Sequence, residues 1–335
     1  MRFVAFTIKG IEGIVEQELR EQVGAIEIAH RSDKVILFDY EGSLEPLTKL
    51  RTVDDIGLYI CTLEPSKKLD LSLVSQVVKS LTSFRHIDTT FSVTTSIVSV
   101  EIDKEEYAHL ITEELGNSGL ILTSDNRTNL DFRIFLNREI GFLSIRLTQE
   151  PLNKREYEVG NYLGALKPTI ASAMVQLAKY DLPKDARLVD NFCGSGTILC
   201  EAQLHGFQVY GGDINPKAVT LTKQRLKLVK HTVSENIKLQ DATKTKWNIG
   251  YFDCGISNLP WDKQHAINHV TDLYAKTIKE YSRILKPTST LCIICHKPDL
   301  LSKLIKKEFG VTTVKQIDIG YLGQTPSILI AHRHH

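Results

Sequence analysis

The chain has 335 residues, of which 42% are hydrophobic and 24% charged, a composition typical of globular proteins rather than of disordered or collagen-like ones. No run of about 18 apolar residues occurs, so we expect no membrane-spanning helix, and the opening segment lacks the features of a signal peptide. The formal net charge of +1 hides an asymmetry, because residues 1–160 carry a net −8 and residues 161–335 a net +9. A basic second half fits a polyanionic partner, although a solvated lysine-rich surface gives the same count.

The first 60 residues predict strand, helix, strand and helix, in that order. The alternate residues Phe3, Ala5 and Thr7 indicate a strand, and Gly10-Ile-Glu-Gly13 precedes an amphipathic helix. Residues 34–39 predict a second strand, and Ser43 is placed to cap a second helix that runs through Leu50.

The next block predicts a second small α+β unit. Helical patterns cover about 71–81 and 104–115, and a strand pattern covers 90–100. A hairpin follows, with strands at 130–136 and 142–147.

After a polar linker that is interrupted by Pro151, strands alternate with helices to the end of the chain. Apolar runs near 187–192, 208–214, 253–257 and 290–295 predict parallel strands, separated by helical patterns. This alternation predicts an α/β domain with a Rossmann-like sheet covered on both faces. The whole chain is therefore predicted to contain two small α+β modules, a linker and a Rossmann-like domain: 1–60, 61–148, 149–165 and 166–335.

Six cysteines in a chain of this length indicate reduced thiols and therefore a cytoplasmic protein. Cys292-Ile-Ile-Cys295 has the spacing of half a zinc knuckle, but strand geometry directs its two thiols to opposite faces. We expect buried thiols and no metal site.

A glycine-rich turn follows the first strand of the Rossmann-like domain. Glycines allow the backbone to approach a ligand closely, and the free N–H groups of the next helix point towards that ligand. A dinucleotide fingerprint requires a third glycine at position 199, which is leucine here, so the turn favours a nucleoside cofactor without a pyrophosphate. The candidate cofactor residues of this turn are Asp190, Cys193, Gly194, Ser195, Gly196 and Thr197.

Two further acids end the next two strands. Asp213 lies 17 residues past Gly196, where a carboxylate can accept from both ribose hydroxyls of an adenosine cofactor, and Ile214 beside it can cover the adenine. Asp241 is placed to accept from the adenine amino group, with the Ala242 backbone beside it. Each acid alone is more often a helix cap or a solvated loop residue, but three acids that end three consecutive strands indicate a cofactor site.

Asn258-Leu-Pro-Trp261 ends a later strand, 68 positions after the acid that precedes the glycine turn. In a doubly wound sheet both turns reach the same carboxyl edge, so Asn258 also borders the cofactor. An exocyclic amine is a weak nucleophile because its lone pair is delocalised, and acceptors such as Asn258 Oδ1 and the Leu259 carbonyl would localise that lone pair. Pro260 stiffens the turn, and Trp261 offers a stacking face for a displaced base. The alternative is an ordinary strand-to-helix turn.

These residues resemble the S-adenosylmethionine-dependent methyltransferases that act on amino groups, whose signature is Asp/Asn-Pro-Pro-aromatic. Upstream, Arg155-Glu-Tyr157 and Gly164-Ala-Leu-Lys-Pro-Thr-Ile-Ala171 are similar to the segment before the cofactor motif in THUMP-containing RNA guanine-N2 methyltransferases. Gly10-Ile-Glu-Gly13 resembles the N-terminal ferredoxin-like module of that family. The resemblance therefore implies a ferredoxin-like module, a THUMP module, a linker and a catalytic domain.

The resemblance implies S-adenosylmethionine as cofactor and N2-methylation of a tRNA guanosine, with acceptor-stem position 6 favoured over position 10. It implies that the THUMP module binds the tRNA 3′ end. By motif, Asp190, Gly194 and Gly196 line the methionine part of the cofactor, Asp213, Ile214 and Asp241 hold its adenosine, and residues 258–261 frame the guanine.

The chain departs from the family pattern at two positions. Leu259 replaces the usual first proline, which keeps the carbonyl but is expected to loosen the turn. Asp262 stands where glycine is common. These departures leave three alternatives open: an rRNA guanine-N2 methyltransferase, a DNA adenine or protein glutamine N-methyltransferase, and an RNA-binding scaffold without catalysis. We expect a cytoplasmic, monomeric, metal-free enzyme whose partner is RNA, with tRNA as the first choice.

Overall fold

The structure is a computed structural model. It describes residues 1–63, 90–98, 103–117, 120–122, 130–160, 162–180, 182–183, 185–229, 234–260 and 267–334. The chain divides into two compact units, Met1–Phe6 with Leu19–Leu152, and Thr7–Glu18 with Asn153–His335. The finer four-part division of the sequence stays a prediction.

The first unit is built on one sheet. Its strands are β1 (Arg2–Phe6), β2 (Glu27–Ser32), β3 (Val35–Asp39), β4 (Asp55–Thr62), β5 (Thr90–Ile97), β6 (Ile121–Leu122), β7 (Leu130–Leu136) and β8 (Gly141–Arg146). Their order in the sheet is β2-β3-β1-β4-β8-β7-β5-β6. Most neighbours are antiparallel, while β5 runs parallel to β6 and to β7. Among the described residues of the first half of the chain, the helices are α1 (Glu12–Gln22) and α2 (Lys104–Asn117).

Three strands of this sheet, β2, β4 and β6, were not predicted from the sequence. β2 is mostly polar, with one face exposed and the other half-buried, and β6 has only two residues. β4 contains the predicted boundary at residue 60. β4 pairs with β1 on one side and β8 on the other, so the described strands on both sides of that boundary share one sheet. The helix expected from Ser43 through Leu50 is wrong. A single 3-10 turn forms at Pro46–Lys49, and the extended backbone of Leu50 ends it. The helix predicted at 71–81 lies outside the described residues.

The second unit contains a mixed sheet of β9 (Arg187–Asp190), β10 (Gln208–Asp213), β11 (Ile237–Leu239), β12 (Phe252–Asn258), β13 (Leu285–Cys295), β14 (Lys315–Asp318) and β15 (Ser327–Arg333). Its helices are α3 (Pro168–Ala178), α4 (Thr197–Leu204), α5 (Pro216–Val229), α6 (Ile267–Ile284) and α7 (Pro298–Phe309). The strand order is β11-β10-β9-β12-β13-β15-β14, and the first five strands are parallel. β15 is antiparallel to both of its neighbours.

Helices cover both faces of this sheet, because its central strands are apolar on both sides. Leu188 packs into the core that faces α3, α4 and α5, and the next residue, Val189, packs into the core that faces α6 and α7. The strand order reverses between β9 and β12, which is the point where doubly wound sheets bind ligands at the carboxyl edge.

An early segment of the chain completes the second unit. Ile8, Ile11 and Ile14 are buried in the core on the α3 side. The Gly320 N–H donates to the Lys9 carbonyl at 2.9 Å. None of the helices in the described ranges combines the length and apolarity that crossing a membrane requires.

Candidate active site

A cavity of about 540 Å³ opens at the carboxyl ends of β9, β10 and β12. It brings together most of the residues that the sequence predicts for the site: Asp190, Cys193, Gly194, Ser195, Thr197, Asp213, Ile214, Asp241, Ala242, Asn258, Leu259 and Pro260. Gly196 lies in the turn behind the wall, and Trp261 lies outside the described residues. The predicted stacking role of Trp261 therefore stays a prediction.

The glycine turn has the backbone conformation that its sequence predicts. Gly194 and Gly196 have φ values of 51° and 81°, in the left-handed region that favours glycine. A Cβ atom on Gly196 would lie 2.9 Å from the Thr222 Cγ2 atom, so the turn has no room for a side chain there. The Thr222 hydroxyl donates to the Gly194 carbonyl at 2.8 Å, which fastens the turn to α5.

The acids at the ends of β10 and β11 shape their own turns while they line the cavity. Asp213 Oδ2 accepts from the Gly194 N–H at 2.9 Å, and Asp213 Oδ1 accepts from the Asn215 N–H at 2.8 Å. Asp241 Oδ1 accepts from the backbone N–H and the hydroxyl of Thr243, and these hydrogen bonds lower the pKa of Asp241. Asp241 is therefore held in its ionised form. Ile214 is 74% exposed, so its side chain lies at the mouth of the cavity.

Asp190 is the most deeply buried acid of the site. Its Oδ1 accepts from the Phe192 N–H at 3.0 Å and from the Ser257 hydroxyl at 2.5 Å. Burial raises the pKa of this carboxyl to about 7, and the nearby negative charge of Asp213 adds to the increase, while the two hydrogen bonds oppose it. Asp190 therefore changes charge near neutral pH.

Residues 257–260, at the end of β12, form a corner that is held by hydrogen bonds and by burial of a side chain. The Leu259 N–H donates to the Ile294 carbonyl at 3.2 Å, and the Leu259 side chain is buried in the core on the α6 side. The Tyr274 hydroxyl donates to the Pro260 carbonyl at 2.9 Å. The expectation that Leu259 loosens this turn is wrong, because leucine supplies an N–H that proline lacks and thereby extends the pairing with β13.

Part of the predicted linker forms a wall of the cavity, which the sequence analysis did not predict. Residues 162–166 line the cavity next to the glycine turn. Arg225 on α5 donates to the carbonyls of Val159 and Gly160, at 3.1 and 3.0 Å. Gly164, which opens the family-like segment Gly164–Ala171, has φ of 80°.

The start of the same segment is anchored in the core. Arg155 Nε and the Tyr157 hydroxyl both donate to Glu201 Oε1, at 3.1 and 2.6 Å, and all three residues are buried. Other lining residues were not predicted from the sequence, and they come from the glycine turn, α4, the turn after β10, α6 and the turn between β14 and β15: Asn191, Phe192, Ile198, Asn215, Leu273, Tyr321 and Leu322.

The cysteines are buried free thiols, as expected. Burial raises the pKa of the Cys295 thiol to about 11, so this thiol is protonated at neutral pH. Within the described ranges, no group of three His, Cys, Asp or Glu residues is arranged to hold a metal ion.

The cavity fits an adenosine cofactor that carries a cationic group. Gly194 keeps one wall bare, the N-terminus of α4 directs backbone N–H groups to that wall, and three acids surround the space. The side-chain amide of Asn258 and the Pro260 turn lie at the other wall of the same cavity.

Residues 155–325, just over half of the chain, match UPF0020, the RMKL-like methyltransferase domain family. The chain belongs to this family. It is also similar to a curated relative, the Type II methyltransferase M.MvaI of Kocuria varians, with 30% identity over 141 residues. That stretch covers 39% of this chain and 30% of the relative, so the chain matches less than a third of the relative's length.

Solved structures share the fold over nearly the whole chain. The crystal structure of TrmN from Thermus thermophilus matches with a TM-score of 0.80 at 20% identity, and the match covers 99% of both chains. The crystal structure of SMU.472 complexed with SAH matches with a TM-score of 0.77 at 17% identity, over 100% of this chain and 98% of that chain. The predicted Rossmann-like methyltransferase fold is thus confirmed, and S-adenosylmethionine is the cofactor of this methyltransferase domain. The ferredoxin-like and THUMP modules stay predictions.

Proposed function

We propose that this family member methylates the exocyclic N2 of a guanosine in tRNA, with acceptor-stem position 6 favoured over position 10. The observation that carries the proposal is the shared cavity, which has Asn258 and the 259–260 turn at one wall and the glycine turn with its acids at the other. The motif resemblance to THUMP-containing RNA guanine-N2 methyltransferases supports tRNA as the substrate. The fold similarity to TrmN over 99% of both chains is consistent with it.

The residues of the cavity have separate tasks in this proposal. Asp213 and Asp241 hold the adenosine of the cofactor, and the bare backbone at Gly194 leaves room for its methionine part. When bound, the cofactor supplies an electrophilic methyl group. Asn258 Oδ1 and the Leu259 carbonyl accept the hydrogens of the guanine amine, which localises the nitrogen lone pair and aims it into the cavity.

Positioning supplies most of the acceleration that this site offers. The corner that carries the two acceptors is fixed by the Leu259 N–H bond to β13 and by the Tyr274 hydroxyl. A correctly oriented pair of reactants gains several orders of magnitude in rate without a strong general base. The methylated ammonium is strongly acidic, so its proton leaves readily after the transfer.

Nucleoside mass spectrometry tests the proposal directly. Unmodified tRNA, incubated with the protein and methyl-labelled S-adenosylmethionine, is expected to yield labelled N2-methylguanosine, and fragment mapping is expected to place the label at position 6. Parallel reactions with rRNA, DNA and bulk protein test the other acceptors. Label in rRNA guanosine, DNA adenine or protein glutamine would replace the tRNA assignment. Cofactor and tRNA binding without any transfer would indicate a scaffold.

A further inference from the structure

Helix α6 carries two tyrosines on the face that packs against the sheet. Tyr274 and Tyr281 are seven residues apart, which is close to two helical turns, so both rings lie on the same side of the helix. They are 1% and 0% exposed, and both belong to the core on this face of the sheet. A buried tyrosine hydroxyl needs a hydrogen-bond partner, and both hydroxyls find theirs at the carboxyl end of β12 or directly after it.

The Tyr281 hydroxyl is part of a directed chain of hydrogen bonds. It lies 2.5 Å from Ser257 Oγ, and it accepts from the Asn191 N–H at 3.1 Å. Ser257 gives its single hydroxyl hydrogen to Asp190 Oδ1, so the hydrogen between the two hydroxyls belongs to Tyr281. The chain therefore runs from the Asn191 N–H through Tyr281 and Ser257 to the Asp190 carboxylate.

Strand β12 is built to admit the Tyr281 ring. A Cβ atom on Gly255 would lie 2.8 Å from Cε1 of that ring, so the strand has a glycine where the ring crosses it. Ser257 follows two residues later on the same face of the strand, where it meets the hydroxyl. Gly255 thus makes room for the Tyr281 ring, and Ser257 binds its hydroxyl.

Tyr274 holds the other end of the corner. Its hydroxyl donates to the Pro260 carbonyl at 2.9 Å. Two hydroxyls from one helix thus bind at residues 257 and 260, and the two residues between these points are Asn258 and Leu259, which carry the acceptors of the proposed reaction.

We propose that Tyr274 and Tyr281 are positioning residues for methyl transfer, that their hydroxyls hold the 257–260 corner from both ends, and that Tyr281 also holds the Asp190 carboxylate through Ser257. The proposal rests on the proposed function, because the corner matters only where it receives an acceptor. The two tyrosines stabilise different parts of the site. Tyr274 acts on the corner alone, whereas Tyr281 links the corner to the cofactor turn.

The hydrogen-bond chain that ends at Asp190 can be tested through the pKa of this carboxyl. The hydrogen bond from Ser257 lowers the pKa of Asp190 against the effects of burial and of Asp213. Because Tyr281 donates to Ser257 and so supports that bond, we expect loss of either hydroxyl to raise the pKa of Asp190 further. The other groups that face Asp190 are the Cys193 thiol, whose pKa burial raises well above its ordinary value, and the Tyr281 hydroxyl itself. S-Adenosylmethionine carries two cationic groups, and its binding is expected to weaken when Asp190 is protonated.

Phenylalanine substitutions test the proposal, because they keep the rings and remove only the hydroxyls. The matched control is Tyr251→Phe, since the Tyr251 hydroxyl pairs with Tyr210 at 3.2 Å near the beginning of β12. Each variant is compared with the wild type by thermal unfolding, by single-turnover methylation of tRNA, and by calorimetric binding of S-adenosylmethionine from about pH 6 to pH 9, a range that brackets the Asp190 titration.

Tyr274→Phe and Tyr281→Phe are each expected to lower the single-turnover rate roughly tenfold, the effect of one lost hydrogen bond at a positioned group. Tyr281→Phe is also expected to move the midpoint of the pH dependence of cofactor binding upwards. Tyr274→Phe leaves this midpoint in place, and Tyr251→Phe leaves both quantities at their wild-type values. Ser257→Ala breaks the same hydrogen-bond chain without a change in α6 and is expected to show the same upward shift. It serves as the second variant where Tyr281→Phe folds poorly.

Rates within twofold of the wild type in folded Tyr274→Phe and Tyr281→Phe would overturn the inference. An unmoved midpoint in both Tyr281→Phe and Ser257→Ala would do the same. If the wild-type protein binds S-adenosylmethionine but does not methylate tRNA, the proposed function fails. The midpoint measurement then decides the link from Tyr281 to Asp190 independently of any acceptor.

Discussion

The backbone N–H of Gly194 donates to Asp213 Oδ2 at 2.9 Å and so joins the glycine turn after β9 to the carboxyl end of β10. The other oxygen of the same carboxylate accepts from Asn215. One side chain therefore fixes the shape of two turns and still lines the cavity between them. Asp213 organises the site as well as contacting the cofactor in the proposed function.

Replacement of Asp213 by alanine is expected to weaken S-adenosylmethionine binding by at least about tenfold, because a cofactor contact and the anchor of the glycine turn are lost together. Asp241→Ala is the matched comparison, since Asp241 fixes only its own turn at Thr243, and a smaller loss is expected. Isothermal calorimetry measures both dissociation constants. An unchanged affinity in Asp213→Ala would contradict this assignment.

Gly196→Ala is expected to destabilise the protein by about 1–3 kcal/mol and to weaken cofactor binding, because the new Cβ meets Thr222 in a left-handed backbone conformation. Gly206→Ala is the control. Gly206 also has positive φ, of 93°, but its Cβ meets no described atom within 4 Å. The control is expected to cost about 1 kcal/mol and to leave the dissociation constant unchanged. Equal effects of both substitutions on binding would show that the contact with Thr222 is irrelevant.

Asn258→Ala is expected to lower the single-turnover rate of tRNA methylation roughly a hundredfold and to change the cofactor dissociation constant far less, because the amide acts mainly on the acceptor. Asn258→Asp keeps the acceptor oxygen and should retain more of the rate. A near-normal rate in Asn258→Ala, measured by rapid quench with labelled cofactor, would refute the role of the amide.

Asp190→Asn is expected to separate stability from function. The pKa of Asp190 is raised to about 7 from an ordinary value of 3.8, so the folded protein binds more protons than the unfolded chain between these two pH values. This acid therefore makes stability fall as pH rises through that window, and the loss is complete above about pH 7. Asparagine does not ionise, so it causes no such loss of stability, and its side-chain oxygen can still accept from the Ser257 hydroxyl.

Thermal unfolding at about pH 5 and pH 8 measures this difference, since the two values lie inside and above the titration window. Asp190→Asn is expected to lose less stability than the wild type between them, while its affinity for S-adenosylmethionine at pH 8 falls roughly tenfold because a cation loses its carboxylate. The same pH slope in both proteins would mean that Asp190 is not the titrating group.

Elements with a strong local pattern are predictable from the sequence of the second unit. The helix expected at 268–285 is found at Ile267–Ile284, because its apolar residues recur at helical spacing. The residues at the ends of β9, β10 and β12 reach one edge because parallel strands point the same way. The cavity itself depends on contacts between segments far apart in the chain. Nothing near Leu273 or Tyr321 marks them as lining residues, since their positions are set by the packing of α6 and of the β14–β15 turn.

The first unit was harder to predict for a related reason. β4 owes its place to partners on both sides, residues 3–6 and 142–146, and the second of these follows it by about 80 positions. Local patterns cannot specify such pairing. Ser43 has the residue type of a helix cap, but the next segment reaches Leu50 before a full α-helical turn is established.

Ile8, Ile11 and Ile14 are synthesised before the residues of α3 to β15, with which they share a core. This core cannot be completed until β15 has been synthesised, so the three isoleucines cannot be buried in it before then. A truncated clone that starts at Asn153 would lack these three isoleucines, and the apolar surface left behind would favour aggregation.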